Sequence, residues 1–164
     1  MLKILNLIGE FLVEKLQNEL REQGHEATGT LINSITYKVV SDTKIEISTP
    51  HEYVNSMENG LPQGTSVPIS ALIRWIEVKG IVTGDKEIKS LAWAIRTAIY
   101  QQGSPTVIGN KFNSQASYSH TKNGRRMLFT EYVIDTYTKT IVQMAGKELL
   151  KETSQPIFNA VKKI

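Results

Sequence analysis

Val67–Thr106 reads VPISALIRWIEVKGIVTGDKEIKSLAWAIRTAIYQQGSPT, and its two apolar stripes decide how the rest of the chain must be arranged. Pro68 and Ser70 stand where a fixed φ and a side-chain acceptor suit the start of a helix. Ile69, Leu72, Ile73 and Ile76 recur at helical spacing until Gly80 stops the run. A second stripe, Ile88, Leu91, Ala92, Ile95 and Ile99, ends at Gly103 with Pro105 just beyond. The pattern predicts a helical hairpin packed on something larger. Trp75 and Trp93, the only tryptophans, fall one on each helix and are expected to build their interface, because large aromatics dominate core burial.

Upstream, Leu5, Ile8, Leu12, Leu16 and Leu20 step by three or four residues, predicting one helix from Leu2 to Gln23 with Gly24 as its stop. Turn chemistry at Ala27-Thr28-Gly29-Thr30 follows, then Leu31, Ile32, Ser34 and Ile35. Period-two runs at 35–40 and 44–48 flank Ser41-Asp42-Thr43 and predict a β-hairpin that Pro50 closes. His51 to Gly60 is expected to be a short helix or turn with Tyr53, Val54 and Met57 facing inward, and 61–66 a linker.

Downstream, 104–124 carries Gly, Ser, Asn and Thr without a sustained period, the composition of a long loop ordered by a partner. From Met127 to Glu152 the apolar positions Phe129, Val133, Tyr137, Ile141, Met144, Leu149 and Leu150 predict a long helix, although β-branched residues crowd its first half. Ser154 and Pro156 are expected to break it before a short amphipathic tail at 157–164.

Composition narrows the function classes. With 164 residues and 40% hydrophobic content the chain builds one domain with a substantial core. Cysteine is absent, which excludes disulfides, thiolate metal sites and cysteine catalysis. The apolar run at the N-terminus is interrupted by Asn6 and Glu10, and no stretch approaches the length of a membrane span, so a soluble chain is expected. The three histidines, His25, His51 and His120, have no metal-ligand spacing, and no nucleophile elbow or phosphate loop is present. Glu52 and Glu58 read as solvated or capping carboxylates rather than an acid–base pair. No metal, cofactor or catalytic residue is expected. A net charge of +3 permits contact with nucleic acid without demanding it. The best basic cluster in that reading is Arg125-Arg126 with Lys122 and Lys111, beside a polar loop where phosphates could sit; the alternative is a solvated helix start.

The order of these pieces resembles the tail-completion, or head–tail connector (neck), proteins of tailed bacteriophages. The resemblance rests on T-G-T-L-I-N-S-I at 28–35, on Tyr53 with Glu58 and Gly60, on W-I-E-V-K-G at 75–80, on A-W-A-I at 92–95, and on G-S-P-T at 103–106. It covers about residues 7–106 and thins beyond, where the Gly/Ser/Asn loop replaces a shorter proline- and aromatic-bearing stretch. It implies an α+β fold: a long N-terminal helix on a small curved antiparallel sheet, with the helical hairpin inserted at 67–103 and a long C-terminal helix. It marks Thr28, Gly29, Leu31, Ser34, Tyr53, Glu58, Gly60, Trp75, Gly80, Trp93 and Gly103 as structural positions. It further implies a non-enzymatic virion protein, made in the host cytoplasm, that forms a typically sixfold homo-oligomeric ring. Such a ring would meet connector or portal-side and tail-tube or terminator proteins, with non-specific DNA contact in the channel and no membrane. Helices with broad apolar faces suit head-to-tail contacts that close by rotation. A nucleic-acid-binding accessory protein is the alternative.

Overall fold

The structure is a computed structural model that describes residues 1–25, 28–104 and 128–161, with side chains described as far as residue 154. Among the described residues eight elements follow one another: α1 (Leu2–Glu22), α2 (Thr30–Ser34), β1 (Thr36–Ser41), β2 (Lys44–Ser48), α3 (Val54–Asn59), α4 (Ile69–Lys79), α5 (Asp85–Gln102) and α6 (Phe129–Val161). This is the expected α+β arrangement, mostly helical with one small antiparallel sheet.

The backbone of the architecture is an antiparallel pair of long helices. α1, with 21 residues, extends about 32 Å, and α6, with 33, about 50 Å. At one end Leu16 and Leu20 of α1 pack with Phe129 and Val133 of α6 and with Leu31, Ile32 and Ile35 in and after α2, forming the main core. Midway, Phe11 meets Tyr137 edge-on, with ring centroids 5.5 Å apart. Lys15 lies over both rings, 5.1 and 5.6 Å from their centroids. At the far end Lys3 pairs with Glu148 at 3.1 Å, and Lys151 bonds the same carboxylate. The β-branched residues that lower intrinsic helicity between 130 and 142 are thus overruled by packing against α1.

The hairpin pairs Thr36 with Ser48 through Ser41 with Lys44, with a register shift between Val39 and Ser41. Its inner face lies on α1. There Tyr37 covers Gly9 so closely that a Cβ on that glycine would stand 2.3 Å from the ring.

Helices α4 and α5 build a second core from Leu72, Ile76, Ile88 and Ala92, the paired stripes expected from the sequence. Main-chain bonds between Leu61 and Ser104, at 2.9 and 2.8 Å, clamp both ends of this insertion together. The stretch 61–66 is therefore more than a linker. Gly103 makes the clamp possible: its φ is +76°, and a Cβ there would stand 2.5 Å from the Leu61 carbonyl oxygen.

Two expectations need correction. Trp75 packs on the insertion core, but Trp93 is 55% exposed on the outer side of α5 and does not contribute to the interface. The stripe had room for only one face of α5, and position 93 falls outside it. α6 also runs through Ser154 and Pro156 to Val161. A proline costs a helical hydrogen bond, but its fixed φ is itself close to helical, so it need not end the element.

Candidate functional site

The sequence positions singled out at 28–35 and 53–60 converge around the start of α6. Thr28 Oγ1 lies 2.7 Å from Thr30 Oγ1 and accepts from the Thr30 N–H, so it shapes the entry to α2. Gly29, at φ +71°, is the residue from which α2 departs. Leu31 is buried in the main core. Ser34 Oγ donates to the Leu31 carbonyl at 2.7 Å and lies 2.7 Å from Thr49 Oγ1, which accepts from the His51 N–H. Short polar side chains here do what their types favour: they close local turns onto the backbone. The result ties α2 to the exit of β2.

Glu58 is the centre of the arrangement. Its carboxylate accepts the Thr130 N–H at 3.2 Å on both oxygens, and its carbonyl accepts the Leu128 N–H at 3.0 Å. A carboxylate at this place satisfies donors that a helix leaves open at its first turn and complements the positive end of the macrodipole. Burial nevertheless outweighs those bonds and pushes the Glu58 carboxyl above the ordinary value, with the amides of Thr130, Glu131 and Phe129 pulling the other way. Leu128 is held at φ +62°, the left-handed region that costs a side-chain-bearing residue energy. One carboxylate thus caps α6, and its own backbone anchors the strained residue before it. Of the two roles the sequence allows Glu58, solvated or capping, the structure shows the cap, on a helix that begins at Phe129.

Beside Glu58 lies a half-open groove of about 480 Å³, bounded by α1, the end of β2, α3 and α6. Leu16, Ile47, Val54, Phe129 and Val133 form much of its floor. Val54 and Met57 pack on the main core as expected. Tyr53 does not face inward; it is exposed, with its ring 5.3 Å from that of His51. The turn before α3 spends its inward positions on Val54 and Met57, which leaves residue 53 outside. Gly60 ends α3 at φ +76° and Gly80 ends α4 at φ +60°.

The basic positions Lys111, Lys122, Arg125 and Arg126, and nearly all of the loop expected at 104–124, lie outside the described residues. Among the described residues no three His, Asp or Glu side chains come together as a metal site. Nor is any described helix long and apolar enough to cross a membrane.

Three features escaped the sequence reading. Gly9 carries no signal of its own inside α1, and only the ring of Tyr37 above it makes it special. The far end of the α1–α6 pair leaves large apolar side chains in solvent: Val142 is 65% exposed and Leu150 68%, with Leu2, Leu7 and Leu149 also open. A helical wheel of α6 carries the signal for this, because its apolar residues pass all round the helix instead of keeping to one face. The third feature is the outer face of α5, where Lys86, Lys89, Trp93, Arg96 and Tyr100 fall in one row. Set beside protein-family models, curated proteins and solved structures, the chain finds no match.

Proposed function

We propose that this chain is a non-enzymatic structural subunit of a tailed-phage particle, of the tail-completion or neck class, which joins copies of itself into a ring. Its contacts on either side of the ring would be connector or portal-side proteins and tail-tube or terminator proteins. The reading takes its family from the ordered sequence elements at 28–35, 53–60, 75–80, 92–95 and 103–106.

The observation that carries assembly is the apolar end of the helix pair. Val142, Leu149 and Leu150 of α6 and Leu2 and Leu7 of α1 stand exposed at the end where Lys3 meets Glu148. Large apolar side chains left in solvent on two neighbouring helices suit an interface between subunits. Glu58 and Gly103 fit the same reading as residues that hold the subunit rigid, with no chemistry assigned to them.

Light scattering coupled to size exclusion, with negative-stain imaging, tests the reading. The expected result is a closed ring of six or a similar small number, broken to monomers by Val142→Glu with Leu150→Glu while helix content is kept. A monomer at high concentration, unchanged by those substitutions, would overturn it. Quantitative mass spectrometry of purified particles supplies the biological arm: a few copies per particle supports a ring at the neck or tail end, and absence from washed particles rejects it.

A further inference from the structure

The row on α5 spans residues 86 to 100, about 21 Å of helix. It sets three cations, Lys86, Lys89 and Arg96, among two half-exposed aromatics, Trp93 at 55% and Tyr100 at 56%. The steps of three, four, three and four residues keep all five on one face. The acids of this helix, Asp85 and Glu87, are confined to its first turn, where they complement the dipole. The row itself contains no negative charge.

Its central residues are arranged before any ligand arrives. Arg96 stacks on Trp93, its guanidinium carbon 4.9 Å from the ring centroid, and donates to Ser66 Oγ at 3.0 Å. One guanidinium donor is used in that bond, and four remain on a fixed planar fork of the kind that suits phosphate oxygens. Beside Tyr100 is a shallow cavity of about 390 Å³ lined by Gln63, Gly64 and Gln101. The Gly64 N–H closes that corner by donating to the Tyr100 carbonyl at 2.8 Å. Two side-chain amides next to an exposed ring supply donors and acceptors for the edge of a planar heterocycle.

We infer that this face of α5 binds single-stranded nucleic acid, with Lys86, Lys89 and Arg96 on phosphates and Trp93 and Tyr100 stacking bases. Charge explains why the occupant is a polyanion. Exposed aromatic rings explain why its bases must be accessible, as they are in a single strand and are not in a duplex. Gln63 and Gln101 would touch the base next to Tyr100. The site lies on the insertion, away from the apolar end of the α1–α6 pair, so it does not depend on ring formation.

Trp93 is its own reporter. In a Trp75→Phe background, titration with a twenty-residue oligothymidylate is expected to quench the remaining tryptophan to saturation. The logarithm of affinity should fall against the logarithm of salt with a slope of about −2, as three cations on a single strand require. Anisotropy of a labelled oligonucleotide should show on the order of a tenfold loss for Trp93→Ala, the scale of one lost stacking contact. Replacing Lys86, Lys89 and Arg96 together by Gln should flatten the salt slope. Lys86, Lys89 and Trp93 are exposed and Arg96 is half-buried with one bond, to Ser66 Oγ, so thermal melts of the variants should stay close to the parent. Binding without Trp93 quenching, or affinity unchanged in both variants, would overturn the inference. So would a duplex of equal length that binds as tightly, or polyglutamate binding where the oligonucleotide does not, which would make the occupant an acidic protein.

Discussion

Glu58 and Gly9 show how single residues acquire roles from distant partners. Burial raises the Glu58 carboxyl above 4.5, so its protonated form is the one the fold favours. The sign follows: its contribution is fully present below the ordinary carboxylate value and is lost as pH rises through the higher folded value. Glu58→Gln keeps an acceptor for the Thr130 N–H and removes the half-buried charge. Urea melts should therefore show the Gln variant gaining on the parent between pH 4 and pH 7, and a gap independent of pH would refute the assignment. Glu58→Ala loses the cap and should cost about 1 kcal/mol. Gly9 makes a sharper case. Gly→Ala in a helix interior ordinarily stabilises by up to about 1 kcal/mol. Here the new methyl would meet the Tyr37 ring, and the change should instead cost about 1–3 kcal/mol. In a Tyr37→Ala background the sign should revert, which a double-mutant cycle reads directly. Neither role was written locally. Glu58 was legible as a capping type but not as the cap of α6, and Gly9 was not legible at all, because Tyr37 arrives from a strand 28 positions away.

Among the elements, α1 and α6 show what periodicity can and cannot say. The stripe of α1 announced its buried side, and of the apolar positions read on α6 packing buries Phe129 and Val133 while Leu149 and Leu150 stay exposed. The ion pairs that Glu148 makes near those two leucines are testable by pH. Lys151 and then Lys3 hold the Glu148 carboxyl below its ordinary value. A depressed carboxyl contributes stability above the ordinary value and loses it as pH falls through the folded one. The melting temperature of Glu148→Gln should thus lie below that of the parent at pH 7, and the two should converge toward pH 3. The insertion depends instead on its clamp. Gly103→Ala combines a left-handed φ with a clash against the Leu61 carbonyl, and a loss of about 1–3 kcal/mol is expected in denaturant melts. Both ends of α4 and the end of α5 were readable from Pro68, Gly80 and Gly103. The pairing of Leu61 with Ser104 was not, since it joins two segments more than 40 residues apart through backbone atoms that carry no sequence signal.

At the scale of the molecule the described residues form two cores, one built on α1, α2 and α6 and one on α4 and α5. Separate cores predict separable openings. Ile76→Ala, at a fully buried position, should cost about 2–5 kcal/mol locally and speed amide exchange in α4 and α5 while the α1–α6 amides stay protected. Leu20→Ala should do the reverse, and uniform acceleration by either variant would mean the two cores open as one. What the sequence by itself determined was the order of the long helices, the β-hairpin and the helical hairpin, and the α+β class, because helical and strand periods and glycine stops are local properties of the chain; the short α2 was not among them. The tertiary structure alone decided that Glu58 serves a helix far along the chain, that Tyr37 covers Gly9, and that Leu61 pairs with Ser104. Those are facts of proximity, and proximity between distant segments is created only when the apolar faces find one another.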